Sequence, residues 1–114
     1  MAASKKDIKE AYLKFLRCVN NEDTRAEAIR TAPDDVIKAI CNAAYNTQYN
    51  RRVRVKPKDQ KILKEHLHEI SILTSKRPSL KKKRQLLQTG GVLPFLPVLL
   101  GSALATFGAH LFSR

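Results

Sequence analysis

The sequence predicts an all-α protein, in which a small helical bundle is followed by a short basic helix and an apolar C-terminal helix. Apolar residues recur at helical spacing in separate segments of the first 75 residues, and residues suited to caps or turns separate these segments. Only residues 51–56 alternate in the manner of a strand, and they have no obvious partner. The 114 residues, of which 43% are hydrophobic, suffice for one small domain.

The first predicted helix carries one apolar stripe. Ser4 is suited to cap its start, and Asn20-Asn21 is suited to stop it. The stripe is formed by residues at helical spacing, namely Ile8, Ala11, Tyr12, Phe15, Leu16 and Val19.

A second, shorter helix is predicted from a capping box. Thr24 and Glu27 have the spacing at which each side chain can accept from a free amide at a helix start. The helix is expected to end at about Thr31, with Ala26 and Ile29 facing the core.

The third predicted helix begins at Pro33, because proline fits the first turn of a helix. The negative charges of Asp34 and Asp35 are favourable near the positive, N-terminal end of the helix dipole. Residues 46–50 are rich in turn formers and are expected to end it. Its buried side is predicted to consist of Val36, Ile37, Ile40, Cys41, Ala44 and Tyr45.

The middle of the chain is predicted to hold a connector and two further helices. Residues 51–56 are read as an extended connector, and Pro57 opens a fourth helix to about Thr74. Ser79 is suited to cap a short basic helix over residues 80–88. Short connections between helices favour a compact bundle over residues 5–74.

The last segment is the most apolar. Residues 92–112 form a run of 21 residues without a charged side chain, which as a helix would be roughly 31 Å long, about the thickness of a bilayer core. We expect a membrane-active tail, with a transmembrane helix as one form of it. The alternative is a buried core helix or one side of a protein interface. Small residues at four-residue spacing predict helix–helix packing and self-association of the tail through Gly101, Ala105 and Ala109.

The charge is concentrated in the middle of the chain. Residues 1–50 carry eight basic and seven acidic side chains, residues 51–84 carry thirteen and three, and residues 85–114 carry only Arg114. Charge and hydropathy together divide the chain into a helical block (1–50), a connector with the fourth helix (51–75), a basic segment with a Gly-Gly hinge (76–91) and the apolar tail (92–114).

This excess of charge predicts a polyanionic partner, either phosphates of double-stranded DNA or anionic lipid headgroups. No ladder of aromatic residues accompanies it, so binding to DNA is expected to be nonspecific. The candidate contact residues are Arg51, Arg52, Arg54, Lys56, Lys58, Lys76, Arg77, Lys81, Lys82, Lys83 and Arg84.

The sequence offers no catalytic, metal or cofactor site, so we expect a protein that is not an enzyme. His66 and His68 diverge on a helix; we expect His66 to flank the core and His68 to be exposed. Cys18 and Cys41 are expected to be small core residues. Gly90-Gly91 lacks the context of a phosphate-binding loop and is read as a hinge or a protease-accessible junction.

Residues 76–112 resemble the minor core protein X of adenoviruses, the precursor of the mu peptide. The resemblance rests on Lys81-Lys82-Lys83-Arg84, on the run from Gly90-Gly91 to Pro97, and on the small and apolar residues that follow. Similar proteins are expected in adenovirus-like elements such as adintoviruses and Mavericks. The resemblance implies that the four basic residues contact packaged viral DNA and that a viral maturation protease cuts at Gly90-Gly91.

Three functions follow from these observations. The first is a virion protein, found in the host nucleus or at an intracellular membrane, that neutralises and condenses DNA and has a membrane-active tail. The second is a tail-anchored membrane protein whose N-terminal helices recruit a protein partner. The third is the precursor of a lytic or pore-forming peptide.

Overall fold

The computed structural model describes residues 4–49, 55–89, 92 and 94–112, with the side chains of Lys5 and of residues 106–112 left out. Over this part of the chain every regular element is a helix, which confirms the all-α class. The α-helices are α1 (Lys5–Cys18), α2 (Glu22–Thr31), α3 (Asp34–Tyr49), α4 (Pro57–Glu65), α5 (Leu67–Thr74), α6 (Leu80–Leu87) and α7 (Leu96–Phe112).

Three helices begin at a side-chain cap. Ser4 accepts from the amide of Asp7 at 3.1 Å, and Ser79 accepts from the amide of Lys82 at 3.1 Å, so both predicted caps are confirmed. The predicted cap of α2 is wrong. Asn21 takes that role, with its Oδ1 2.9 Å from the amide of Thr24, because asparagine caps as well as threonine and stands one turn earlier.

Two helix ends also differ from the prediction. Helix α3 continues through the turn-forming residues to Tyr49, and the rings of Tyr45 and Tyr49 lie 4.9 Å apart on its last turn. The helix predicted from Pro57 to Thr74 is broken at His66, whose backbone leaves the helical region at φ −122° and ψ 30°. At this break the His66 ring lies 5.3 Å from the ring of Phe95, so it flanks the core as expected, and His68 is exposed.

Helix α7 packs inside the same core as the N-terminal helices. Val92, which precedes it, is buried, as are Phe95, Leu96, Leu99 and Leu100. The helix packs against α1 and α3, which bury Leu13, Leu16, Val36, Ile37, Ile40, Ala43 and Ala44 in one continuous cluster with it. The start of the segment read as a separate tail is therefore a central part of the fold.

The prediction of a transmembrane helix is wrong. Over the described residues, no helix combines the length and the apolar character needed to cross a bilayer. Packing accounts for the apolar character of its first turns, because Leu96, Leu99 and Leu100 are buried and α7 packs against α1 and α3. An apolar helix face needs burial, and protein supplies it for these first turns.

The face of α1 that packs into the core is rotated relative to the predicted apolar stripe. Leu13 and Leu16 are buried, whereas Ile8 is 40% exposed and Phe15 is 48% exposed. Cys18 is exposed rather than in the core. The sequence of α1 has apolar residues on neighbouring faces, and the face that contains Leu13 and Leu16 is the one in the core.

Candidate nucleic-acid interface

One row of exposed lysines lies on α4. Lys58, Lys61 and Lys64 are spaced by three, which places them on one side of the helix, and Leu63 points to the opposite side, into the core. Lys56, just before the helix, is also exposed. We call these four residues the α4 row. Sequence analysis missed Lys61 and Lys64, although their spacing from Lys58 is a readable signal.

A second group lies between α5 and α6. Lys76 and Arg77 are exposed in the connecting loop, and Lys81 and Lys82 are exposed in the first turn of α6. We call these four residues the loop–α6 cluster. The Ser79 cap fixes where α6 begins, and hence which of the following residues face outward.

The run of four basic residues in α6 divides into an outward and an inward pair. Each residue of a helix turns by about 100°, so four successive side chains cannot share one face. Lys81 and Lys82 point outward, while Lys83 and Arg84 lie on the side of the buried Leu87.

Arg84 is held by intramolecular contacts. Its Nη1 donates to the carbonyl oxygens of Ile29 at 2.8 Å and of Ala32 at 2.6 Å, and its Nη2 donates to Oδ1 of Asp34 at 2.6 Å. The side chain is only 16% exposed. Arg84 thereby caps the negative C-terminal end of α2 and pairs with the first residue of α3. Its guanidinium is held by hydrogen bonds within the protein, so we exclude Arg84 from the candidate interface.

Lys83 is on α6, which packs against α3, and its charge acts on Cys41 of α3. Burial raises the pKa of the Cys41 thiol, and the positive charge of Lys83 opposes that rise without cancelling it. Both side chains are partly buried. Lys83 is thus placed toward α3 and contributes less than Lys81 and Lys82 to the exposed charge.

The positive field comes from an imbalance of charge between two regions. In residues 4–49 carboxylates pair with cations: Glu10 with Lys14 at 2.8 Å, and Glu27 with Arg30. These contacts raise the pKa of Lys14 and lower the pKa of Glu27. Residues 55–89 carry ten cations against three carboxylates, and none of the eight cations of the α4 row and the loop–α6 cluster forms an ion pair within the described part of the chain.

Several predicted site residues are not tested by these contacts. Arg51, Arg52 and Arg54 lie outside the described residues, as does the Gly90-Gly91 junction. Among the three small residues predicted to pack tails together, Ala105 is exposed, and the side chain of Ala109 is outside the described part. At Gly101 an added Cβ would lie 3.9 Å from Cζ and Nη2 of Arg17, so this position faces an arginine of α1.

Neither a metal site nor a match to a known protein identifies the function of this surface within the described residues. Among the residues with described positions, no group of three or more His, Cys, Asp or Glu side chains is arranged to hold a metal ion. No protein-family model matches the chain, and no curated protein or solved structure matches it significantly. The assignment of function therefore depends on the charges and contacts described above.

Proposed function

We propose that this protein is not an enzyme and binds double-stranded DNA through its phosphates, without reading base sequence. The observation that carries the proposal is the set of eight exposed cations in the α4 row and the loop–α6 cluster, which have no ion-pair partner among the described residues. Unpaired like charges repel one another, and a polyanion relieves that repulsion.

The mechanism is neutralisation of phosphates with release of counterions. Each phosphate contact contributes about −0.9 to the slope of log K against log salt concentration, so eight contacts would give a slope of about −7. Lysines on a helix surface act as point charges and carry little base information. The proposed binding is therefore strong at low salt, weak at high salt and indifferent to sequence.

The resemblance to adenovirus minor core protein X supports a viral setting for this activity. In that setting the DNA is the packaged genome, and cutting at Gly90-Gly91 by a maturation protease belongs to the same proposal. The proposed mechanism does not use lipid, because Leu96, Leu99 and Leu100, which a membrane would have to accept, are buried between helices.

The test is a salt series with a matched pair of double variants. Lys81→Gln with Lys82→Gln removes two exposed charges of the loop–α6 cluster, and Lys14→Gln with Lys38→Gln removes two exposed charges of α1 and α3. Binding to a short duplex is followed by fluorescence anisotropy. The first variant is expected to reduce the magnitude of the salt slope by about 1.8, and the second is expected to leave it unchanged.

Two results would contradict the proposal. One is a binding constant for DNA that does not change between low and physiological salt. The other is an equal loss from both double variants, which would mean that only total charge matters. Vesicles with and without phosphatidylserine form a parallel arm, and salt-dependent binding to anionic vesicles with none to DNA would assign the surface to lipid instead.

A further inference from the structure

An exposed apolar face remains on α1, on the side of the helix that does not pack into the core. Ile8, Ala11 and Phe15 recur at three- and four-residue spacing, so they lie on one face of the helix. Ile8 is 40% exposed, Phe15 is 48% exposed, and Ala11 between them is exposed as well. Exposed apolar residues that line up on one face, rather than occurring singly, indicate a site of association.

The exposed face borders a cavity in the N-terminal half of α1. The cavity has a volume of about 270 Å³ and lies between α1 and the start of α3. Its accessible walls include the apolar side chains of Ile8 and Pro33 and the carboxylates of Asp34 and Asp35. Ile8 therefore belongs both to the exposed face and to the cavity, and an apolar group that packs on Ile8 has open space beside it.

Two opposite charges lie along one edge of the exposed face. Asp7 and Lys14 are both exposed and are seven residues apart, which is close to two helical turns. Lys14 pairs with Glu10 of its own helix at 2.8 Å, whereas Asp7 forms no ion pair with a described residue. If a second α1 helix lies antiparallel on this face, each Asp7 faces the Lys14 of the other copy. In a parallel pair, residues of equal number lie at the same level, so this contact could not form.

We propose that a second copy of this chain packs on this face, with the two α1 helices antiparallel and Phe15 of each copy against Ile8 of the other. A two-fold axis between residues 11 and 12 relates the copies, so one face supplies both halves of the contact. The same axis pairs Asp7 with Lys14 twice. This self-complementary order of apolar and charged residues is what identifies the partner as a second copy.

The dimer is expected to be weak and reversible. One pair of helices buries less than the roughly 800 Å² per partner of a standard stable interface. The excess positive charge does not oppose the contact, because residues 1–50 carry eight basic and seven acidic side chains and the excess lies in residues 51–84. The proposal does not depend on DNA binding, since the α4 row and the loop–α6 cluster are on other parts of the chain.

The test is sedimentation equilibrium at physiological salt. The average mass of the unaltered protein is expected to rise from 12.9 kDa toward twice that value as the concentration increases to about 0.5 mM. Phe15→Ser is expected to raise the dimer Kd by about tenfold or more, because an aromatic side chain at the centre of an interface dominates its binding energy. Leu67→Ser is the matched control, since Leu67 is 50% exposed but lies on α5, and it is expected to leave the Kd unchanged.

Two results would overturn the proposal. One is a mass that stays at 12.9 kDa over the whole series, and the other is an equal loss of dimer from Phe15→Ser and Leu67→Ser. Circular dichroism establishes that both variants fold. If Phe15→Ser does not fold, Ala11→Arg decides, because it places a charge at the centre of the exposed face and removes no buried side chain. A raised Kd would support the interface, and an unchanged Kd would refute it.

Charge reversal tests the pairing across the dimer. Asp7→Lys and Lys14→Asp are each expected to raise the Kd by about threefold to tenfold, because each replaces two attractive contacts by two repulsive ones. The double variant restores opposite charges and is expected to recover most of the affinity. A double variant that dimerises no better than the single variants would refute the antiparallel pairing.

Oxidation tests the direction of the helices independently. In the antiparallel pair the two Cys18 residues lie about 20 Å apart along the helices, which is beyond the reach of a disulfide, whereas residues at position 11 lie within about one helical rise of each other. Cys18 is exposed, so only this distance prevents the bond. We expect Ala11→Cys, made together with Cys18→Ser, to form a covalent dimer faster than the unaltered protein does through Cys18. Faster linking through Cys18 would refute the antiparallel arrangement.

Discussion

Lys81-Lys82 and Lys83-Arg84 stand side by side in one run of basic residues, yet the two pairs have different environments. The first pair is exposed and has no ion-pair partner among the described residues. In the second pair, Lys83 is partly buried and Arg84 donates to two carbonyl oxygens and one carboxylate. A basic run in a helix therefore does not act as one unit. The direction of each side chain decides whether it serves a partner or the fold.

The largest expected effect comes from Arg84. Arg84→Met leaves the carbonyl oxygens of Ile29 and Ala32 without their donor and Asp34 without its cation. We expect a loss of about 2–4 kcal/mol in the free energy of unfolding, measured by urea denaturation, with little change in the salt slope of DNA binding. Arg84→Lys keeps the charge but loses the forked geometry, so it should lose less.

The opposite pattern would overturn this division of roles. Suppose that the free energy of unfolding of Arg84→Met lies within about 0.5 kcal/mol of that of the unaltered protein, the range typical of ordinary surface changes, and that the salt slope of DNA binding falls. Arg84 would then belong to the DNA interface.

The next effect concerns the residue that sets the direction of all four side chains. Ser79→Ala removes the oxygen that accepts from the amide of Lys82. The expected loss is about 1 kcal/mol in the free energy of unfolding, the usual cost of an N-cap. Thr24→Ala is a suitable control, because this exposed threonine lies in the first turn of α2 and Asn21, not Thr24, caps that helix. Equal losses from the two changes would show that the cap does not stabilise α6.

How much of this could be predicted from sequence differs between local and tertiary features. The Ser4 and Ser79 caps were predicted because a cap and its amide lie three residues apart. The role of Arg84 was not, because its acceptors lie more than 49 residues away in sequence. Only the packed structure shows which carbonyl oxygens need a donor.

The apolar C-terminal segment shows the same limit. Its composition correctly indicates that its first turns must be buried, but composition does not distinguish lipid from protein as the surroundings. The decisive fact is that α1 and α3 present buried faces to α7. In the candidate sites, the exposed lysines of α6 could be read from the sequence. The burial of Arg25, whose Nε and Nη2 have no hydrogen-bond partner among the described residues, could not, since an arginine within a predicted helix normally lies on its exposed face.

The exposed pair should affect stability least among these changes. Lys81→Gln with Lys82→Gln is expected to shift the free energy of unfolding by less than about 0.5 kcal/mol, because neither ammonium forms an ion pair with a described residue. Urea denaturation of the same variant that is used for DNA binding provides the measurement. A loss comparable to that of Arg84→Met would show that the outward pair also holds the fold together.

The smallest effect is a change in thiol reactivity that reports on Lys83. Burial raises the pKa of Cys41, so at pH 8 its thiolate is scarce and alkylation by iodoacetamide should be slower than that of the exposed Cys18. The charge of Lys83 favours the thiolate, so Lys83→Gln should raise the Cys41 pKa further and slow its alkylation again, leaving Cys18 unchanged. Mass spectrometry of each cysteine over a pH series gives both rates, and Lys82→Gln serves as the matched control because Lys82 points outward. If Lys82→Gln and Lys83→Gln slow Cys41 equally, the two lysines are not distinguished by the direction of their side chains, and the separation of the basic run into outward and inward pairs is wrong at this position.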